Sequence, residues 1–473
     1  MTASDPQGLR SDAPLLDAYL SFLEARVVPF TIPGHKQRHD FFGQVVFGDV
    51  PLYGGLDTMK LQRGVLAEAE RRAAQLWAAD VCRFSVGGST HGNQALALAV
   101  TRPGDRVIVS RTLHRSLLLG LVLAGLQPVW VRPSIDVATG LPVGLSVEAV
   151  SRALNEHPDA HAVFVGEPSY VGTFGDLAAV ADLAHAHDIP LVVDAAWSAH
   201  FGFHPELPAH ALALGADAMV TSAHKALPAY SQAALVLART ERIDAARLDQ
   251  AFEATHTTSP AGAILASIDA ARALMARDGE PLLGRLLELV GNARTKLAEI
   301  PGLVVLEGAQ VDPTKLVVLL AGTGADGNAI ERDLIARGMP VEMADRDTIV
   351  AMVTVADDAA SVHALVDAVS DAVERHRRTP RQVVPASAWS VEPETVIAPR
   401  EAFFASHAVS PIQESIGRVC AELVAPYPPG IPVLAPGERI TAAAVDALLR
   451  ARDSGTRIAY AADPSLDTLL VVA

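Results

Sequence analysis

Cysteine is nearly missing from this chain: Cys82 and Cys420 are the two among 473 residues. Two cysteines make no disulfide framework, and a reducing compartment is the expectation. Basic residues are also in deficit. The 38 Lys and Arg face 54 Asp and Glu, leaving a formal charge of −16. Nucleic acid and anionic membrane both select basic patches, so neither is an expected partner. A long apolar run is lacking too. The longest uncharged apolar stretch, Ser116 to Val131, contains Gly120, Gly125 and Pro128. It falls short of the ~20 residues that span a bilayer and suggests a buried helix running into a strand. The segment Met1–Arg10 is polar and lacks the charged-then-apolar layout of a signal peptide. These absences together point to a cytoplasmic protein.

What the chain does have is apolar mass. Half of it is hydrophobic, enough for one large core and a second, smaller one. From about Val65 to Arg294, short β-branched runs alternate with Ala/Leu-rich segments of helical spacing. Strands are expected at Arg106–Ser110, Gln127–Val131, Ala162–Gly166, Pro190–Asp194, Ala218–Thr221 and Ala233–Ala238. Helices are expected at Gly64–Ala78, Gly92–Val100, Ser146–Asn155 and Asp176–His187. This alternation predicts an α/β fold, a mostly parallel sheet between helices, with ligands collecting beyond the carboxyl ends of the strands.

The texture changes after a long helical stretch over Ala261–Ile300. Strands at Leu303–Leu306, Thr314–Leu320, Val341–Ala344 and Thr348–Val353, with helices at Asn328–Arg337 and Ala360–Arg377, suggest a smaller α+β C-terminal region. The reading is therefore an N-terminal arm over 1–60, a large domain over 61–300 and a small region over 301–473. A Pro- and charge-rich linker falls near 377–400. The last module carries an expected helix around Ile412–Leu423 and a Pro-dense turn at Pro426–Pro432.

Two apolar strands end in chemistry. One delivers Asp194, in Val193–Trp197; the next delivers Ser222, His224 and Lys225. Alone, a strand-ending Asp is most often a helix cap and a strand-ending Lys is solvated. As a pair they match what pyridoxal 5′-phosphate (PLP) requires: an amine for a Schiff base with the aldehyde, and a carboxylate that keeps the pyridine nitrogen protonated. Upstream, Phe84–Gln94 has Gly87 and Gly88 followed by Ser89 and Thr90 and then an apolar periodic run. That layout is a phosphate cradle opening a helix, and it is neither a Walker A loop nor a dinucleotide fingerprint. After another strand, Ser110–Ser116 presents His114, a flat partner for an aromatic ring. An isolated His would be ordinary; its weight comes from the order cradle, His, Asp, Lys.

That order, with further motifs, resembles the ornithine/lysine/arginine decarboxylases of PLP fold type I (aspartate-aminotransferase-like), in their short form without an N-terminal wing domain. The resemblance runs nearly end to end. It includes Pro33–Lys36, Gly88–Asn93, His114–Ser116, Glu167–Gly172, Asp194–Phe201, Ser222–Pro228, Thr257–Pro260, Pro426–Pro432 and Pro436–Glu438. It implies that 61–300 is the PLP-binding domain and that Lys225 forms the Schiff base. It further implies that Asp194 pairs with the pyridine nitrogen, Ala196 packs against the ring and His114 stacks on its other face. Ser89, Thr90 and Ser222 would bind phosphate, with His224 close by, and Lys225 or His224 would return a proton to the substrate's Cα. The implied partners are a small basic amino acid and a second subunit, as a homodimer or a multiple of dimers. Sites would be shared, with the arm and the Tyr53–Asp57 loop serving the neighbour. Polyamine biosynthesis is the associated role.

The substrate's side-chain cation needs an acidic pocket. Asp57, Glu167 and Glu414 are candidates, though each alone is more often a solvated carboxylate. Ala195, Glu167 and the 56–64 stretch depart from the family's pattern, which leaves the amino acid open. Three other readings stand beside this one. An aminotransferase or a lyase could use the same cofactor; aminotransferases usually clamp the α-carboxylate with an arginine, and Arg346 and Arg418 exist, but nothing in the sequence places them at the site. A catalytically silent relative would take up no PLP. A metal site is not expected, because His185 and His187 lie at i, i+2 on a helix and face apart.

Overall fold

The computed structural model describes Phe30, Asp40 and residues 64–258, 260–383, 391–392, 394–427 and 430–473. The expected arm, including Pro33–Lys36 and Asp57, thus lies outside the described residues apart from Phe30 and Asp40. In chain order the large unit comprises α1 (Gly64–Leu76), β1 (Val81–Ser85), α2 (Gly88–Val100), β2 (Arg106–Ser110), α3 (Arg115–Ala124) and β3 (Gln127–Val131). It continues with β4 (Pro133–Ile135), β5 (Pro142–Leu145), α4 (Val147–Glu156), β6 (Ala160–Gly166), α5 (Leu177–Ala186) and β7 (Leu191–Asp194). Then come β8 (Ala218–Ser222), the short α6 (Ala223–Ala226), β9 (Ala234–Ala238), α7 (Ala245–Thr255) and the long α8 (Gly262–Ala298).

These strands form a sheet in the order β1-β9-β8-β7-β6-β2-β3. β9 runs antiparallel to both neighbours, and the rest are parallel. Why both faces are covered follows from the two-residue period of a strand. Val163, Val165, Leu191, Val193 and Met219 join a core with α1, α5 and α8 on one face. The alternate residues Ala162, Phe164, Val192, Ala218 and Val220 join a second core with α2, α3 and α7. Parallel strands point their carboxyl ends the same way. The loops that follow β1, β2, β6, β7 and β8 therefore meet along one edge.

The remaining elements are β10 (Val304–Val305), β11 (Lys315–Leu319), α9 (Gly327–Ala336), β12 (Met343–Ala344), β13 (Thr348–Met352), α10 (Ala359–His376), α11 (Pro399–Phe404) and β14 (His407–Pro411). They end with β15 (Ala425–Tyr427), α12 (Ala442–Asp453), β16 (Arg457–Ala459) and β17 (Thr468–Val472). A second, antiparallel sheet has the order β10-β11-β13-β12. Phe30 is fully buried against it, its N–H donating to the Pro340 carbonyl (2.9 Å). The Pro-rich stretch after α10 is tied down by Arg381, whose guanidinium donates to Asp347 and to the carbonyls of Gly324 and Ala325.

The expected helix around Ile412–Leu423 is not there. The segment is a chain of turns bridged to its neighbours, with the Cys420 N–H on the Glu438 carbonyl (2.7 Å) and Ile412 on Asp467 (3.0 Å). Ile412, Ile416, Val419 and Leu423 imitate a helical stripe. Gly417, however, sits at φ +86°, which a helix cannot accommodate, and Ile416 points outward. This last module is pinned to the large sheet by a buried ion pair. The Arg111 guanidinium, one residue past β2, grips Glu438 through two hydrogen bonds (2.5 and 2.9 Å) and lies over Trp130.

Helix α2 approaches the sheet closely because of Gly92. A Cβ there would lie 2.3 Å from Val220 Cγ2 and 2.9 Å from Val236 Cγ2. Both are stiff β-branched side chains on central strands. A Gly92→Ala variant is expected to lose about 1–3 kcal/mol of stability from overpacking. Thermal or denaturant unfolding checks this, and an unshifted transition would show that α2 can back away at no cost.

Candidate active site

A cleft of about 910 Å³ opens along the carboxyl edge of the large sheet. Its walls come from the loops after β1, β2, β6, β7 and β8, from the β12–β13 turn of the second sheet, and from the segment between α12 and β16. Ser89, Thr90, His114, Asp194, Ala196, Ser222, His224 and Lys225, eight residues singled out in the sequence, all line it.

The cradle is built on the first turn of α2. Gly88 takes φ +69° and donates its N–H to the Gln232 carbonyl (2.9 Å), which turns the chain into the helix. Ser89 on that turn meets Ser222 at the end of β8, Oγ to Oγ 2.6 Å. Thr90 adds a third hydroxyl. The unsatisfied N–H groups of a helix start, with hydroxyls converging on them, form an anion site.

Asp194 ends β7 and lies in register with Val220 on β8. It is 7% exposed. Its Oδ2 accepts from the Asn93 amide (2.7 Å) and its Oδ1 from the Ala196 N–H (3.3 Å). Among the described residues no cation is hydrogen-bonded to it. A buried carboxylate in that state suits a cationic ring nitrogen brought by a ligand.

Asn93 has a second task. The same amide nitrogen donates to Ser116 Oγ (2.8 Å), and Ser116 Oγ lies 2.8 Å from His114 Nδ1. With its oxygen accepting from Asn93, Ser116 donates its proton to Nδ1, which also takes the Ser116 N–H (3.2 Å). This network assigns the His114 proton to Nε2. Burial lowers the His114 pKa, against the pull of Asp194, so the ring is neutral. Asn93 thereby orients both the carboxylate and the imidazole. Sequence reasoning quoted it inside the cradle motif and gave it no role; a buried Asn one helical turn past a glycine cradle was the available signal.

Lys225 follows β8 on α6. Burial lowers its pKa, while Asp194 and Glu342 pull the other way. Its Nζ lies 3.9 Å from the Trp197 ring centroid. His224 beside it has Nδ1 2.9 Å from the Ala233 carbonyl, which fixes the proton on Nδ1. Burial takes its pKa down to about 4, so at neutral pH Nε2 is an acceptor with no proton to give.

The three acidic candidates for substrate recognition fare differently. Asp57 lies outside the described residues. Glu167 is buried but does not line the cleft. Its carboxylate takes the Leu145 N–H (2.8 Å) and the Gly175 N–H (2.9 Å) and so clamps two loops together. Glu414 is exposed on the turns of the last module, away from the cleft. Besides Asp194, the acids that line it are Glu342, just before β12, and Asp345 and Asp347 in the β12–β13 turn. Tyr170 OH donates to Glu342 Oε1 (2.7 Å). Of the two arginines available for a clamp, Arg346 lines the cleft but is held by Asp347, while Arg418 donates to the Val472 carbonyl in the last module. His185 pairs with Asp217 (2.9 Å).

The profile of the Orn/Lys/Arg decarboxylase major domain matches residues 13–310, and that of the Orn/Lys/Arg decarboxylase C-terminal domain matches residues 383–458. An arginine decarboxylase of Halalkalibacterium halodurans is 32% identical over 482 residues, covering 98% of each chain. Lysine decarboxylase A from Pseudomonas aeruginosa superimposes with a TM-score of 0.77 at 21% identity, over 92% of this chain and 75% of that one. A ureidoglycine–glyoxylate aminotransferase from Bacillus subtilis gives 0.59 at 15% identity, over 74% and 93%. The large unit has the architecture of PLP fold type I, and the chain belongs to the Orn/Lys/Arg decarboxylase family.

An Asn93→Ala variant leaves Asp194 Oδ2 and Ser116 Oγ without their shared donor. The expected loss is about 1–3 kcal/mol of stability, read by denaturant unfolding. An unchanged midpoint would mean that water replaces the amide in full.

Proposed function

We propose that this member of the Orn/Lys/Arg decarboxylase family is a PLP-dependent carboxy-lyase that converts a basic L-amino acid (arginine, lysine or ornithine) to the corresponding amine and CO2. One observation carries the reading. The Lys225 amine, three residues past β8, and the buried Asp194 carboxylate, at the end of the adjacent β7, line one cleft, and Glu342 lines it too.

The residues present fit the cofactor. A hydroxyl-rich helix start suits its phosphate, a buried carboxylate without a cation suits its ring nitrogen, and a desolvated lysine of lowered pKa suits its aldehyde. Ser89, Thr90 and Ser222 would hold the phosphate. Asp194, oriented by Asn93, would keep the ring nitrogen protonated. His114 and Ala196 would pack against the ring. When bound, PLP supplies the electron sink for the pair released as the Cα–carboxylate bond breaks.

The rest falls to this chain's own groups. Lys225 carries the cofactor and then returns a proton to the substrate's Cα. His224 is less suited to that task, since its Nε2 is an acceptor; it lines the phosphate end instead. Glu342, on the Tyr170 hydroxyl, takes the substrate's side-chain cation, with Asp345 lining the same cleft. This replaces Glu167 and Glu414 in the role. Subunits assemble as dimers or multiples of dimers. No helix among the described residues is long and apolar enough to cross a membrane.

Arg346 favours a second reading, transamination, because a guanidinium lines the cleft. Against it, Asp347 already occupies that guanidinium through two hydrogen bonds (2.8 and 2.6 Å).

The deciding experiment loads the protein with PLP and offers amino acids singly, reading amines and keto acids by mass and CO2 by trapping. One basic amino acid is expected to give amine and CO2 in equal amounts. Accumulating keto acid, or no amine from any substrate, sinks the proposal. A Glu342→Gln variant is expected to lose about 10- to 100-fold in kcat/KM on that substrate while retaining PLP. Unchanged kinetics would remove Glu342 from substrate recognition.

A further inference from the structure

A second lysine stands one layer behind the cleft wall. Lys315, the first residue of β11, is 2% exposed and does not itself line the cleft. Its Nζ donates to the Tyr170 carbonyl (3.1 Å) and lies 3.6 Å from the centroid of the Trp197 ring. The Lys225 Nζ lies 3.9 Å from the centroid of that same ring. Two amines of different sheets therefore share one indole, and that indole belongs to the wall next to Asp194 and Ala196.

The surroundings are shaped to Lys315. Gly172 adopts φ +89°, and a Cβ there would lie 2.9 Å from Lys315 Cγ, so the 168–172 loop closes on the lysine stem only because position 172 has no side chain. The Arg294 guanidinium holds the Lys315 carbonyl (2.7 Å) and fixes the strand end. From the second sheet, Asp312 and Glu342 face the ammonium with negative charge. From the large unit, Lys225 faces it with positive charge and Tyr170 with a carbonyl and a ring. Asp312 is itself engaged by Thr314 (2.7 Å) and His200 (3.3 Å) through Oδ1, while its buried Oδ2 has no hydrogen-bond partner among the described residues. A buried ammonium over a π face is attracted to it, and the attraction vanishes when the amine is neutral.

We propose that Lys315 is a positioning residue for the reaction: its ammonium fixes the Trp197 indole against which the Lys225 amine lies, and so sets where that amine stands in the cleft. The proposal rests on the reading of Lys225 as the cofactor lysine. Burial brings the Lys315 pKa down to about 7, against the pull of Asp312 and Glu342. Below that value the ammonium holds the indole, and above it the hold is released. The device thus turns off across the neutral range as pH rises.

The test reads Trp197 directly. The emission difference between the full-length protein and its Trp197→Phe variant isolates this indole from Trp77, Trp130 and Trp389. Followed from roughly pH 6 to 9, it is expected to show a step with its midpoint near the Lys315 value of about 7. In a Lys315→Met background the step is absent, and in Lys315→Arg the low-pH emission persists throughout, because the guanidinium stays charged. In the PLP-loaded enzyme Lys315→Met is expected to lose about tenfold in kcat with KM nearly unchanged, and Lys315→Arg to recover most of it. A wild-type difference spectrum without a step overturns the proposal, as does a step that survives in Lys315→Met or a Lys315→Met enzyme with wild-type kcat. The first of these needs no change at Lys315, so it decides even if that variant does not fold. Absence of amine product from the wild-type enzyme would sink the cofactor reading instead, and the emission titration would still decide this one.

Discussion

Asp194 is a carboxylate buried at the end of a parallel strand with no cation hydrogen-bonded to it among the described residues, and the rest of the site is arranged around that condition. An unpaired buried charge is costly unless hydrogen bonds and an arriving cation offset it. The sheet supplies the position, because β7 lies between β6 and β8 and its end cannot move without breaking both ladders. Asn93 supplies the hydrogen bond and at the same time sets the tautomer of His114 through Ser116. One amide on α2 therefore coordinates two strand-end loops. The helix can do this because Gly92 lets it settle onto Val220 and Val236. Packing, orientation and charge are successive consequences of one close contact.

The cleft draws on both sheets. One wall is a helix start with hydroxyls, and another is the β12–β13 turn of the second sheet, where Asp345 and Asp347 flank Arg346. The buried Arg111–Glu438 pair and the grip of Arg381 on Asp347 hold the later parts of the chain against this wall.

Much of this was legible in the sequence, and what was not had physical reasons. Strand-end residues such as Asp194 and Lys225 are visible because a β-branched run followed by a polar residue at the sheet edge is a local pattern. The βα alternation likewise announces itself within windows of ten residues. Glu167 misled because a carboxylate in a family motif looks available, whereas its oxygens are taken by backbone donors at Leu145 and Gly175, eight and more residues away. Glu342 and Lys315 escaped notice because they reach the site only through the docking of the second sheet, and no local spacing encodes that. The helix expected around Ile412–Leu423 failed where a left-handed Gly417 outweighed an apolar stripe.

Reductive trapping tests the central claim most directly. The PLP-loaded protein is treated with borohydride, digested, and searched by mass for a pyridoxyl-modified lysine. The account predicts one modified site, Lys225, in near-stoichiometric yield. Modification at another lysine, or none while the protein is folded, would contradict it.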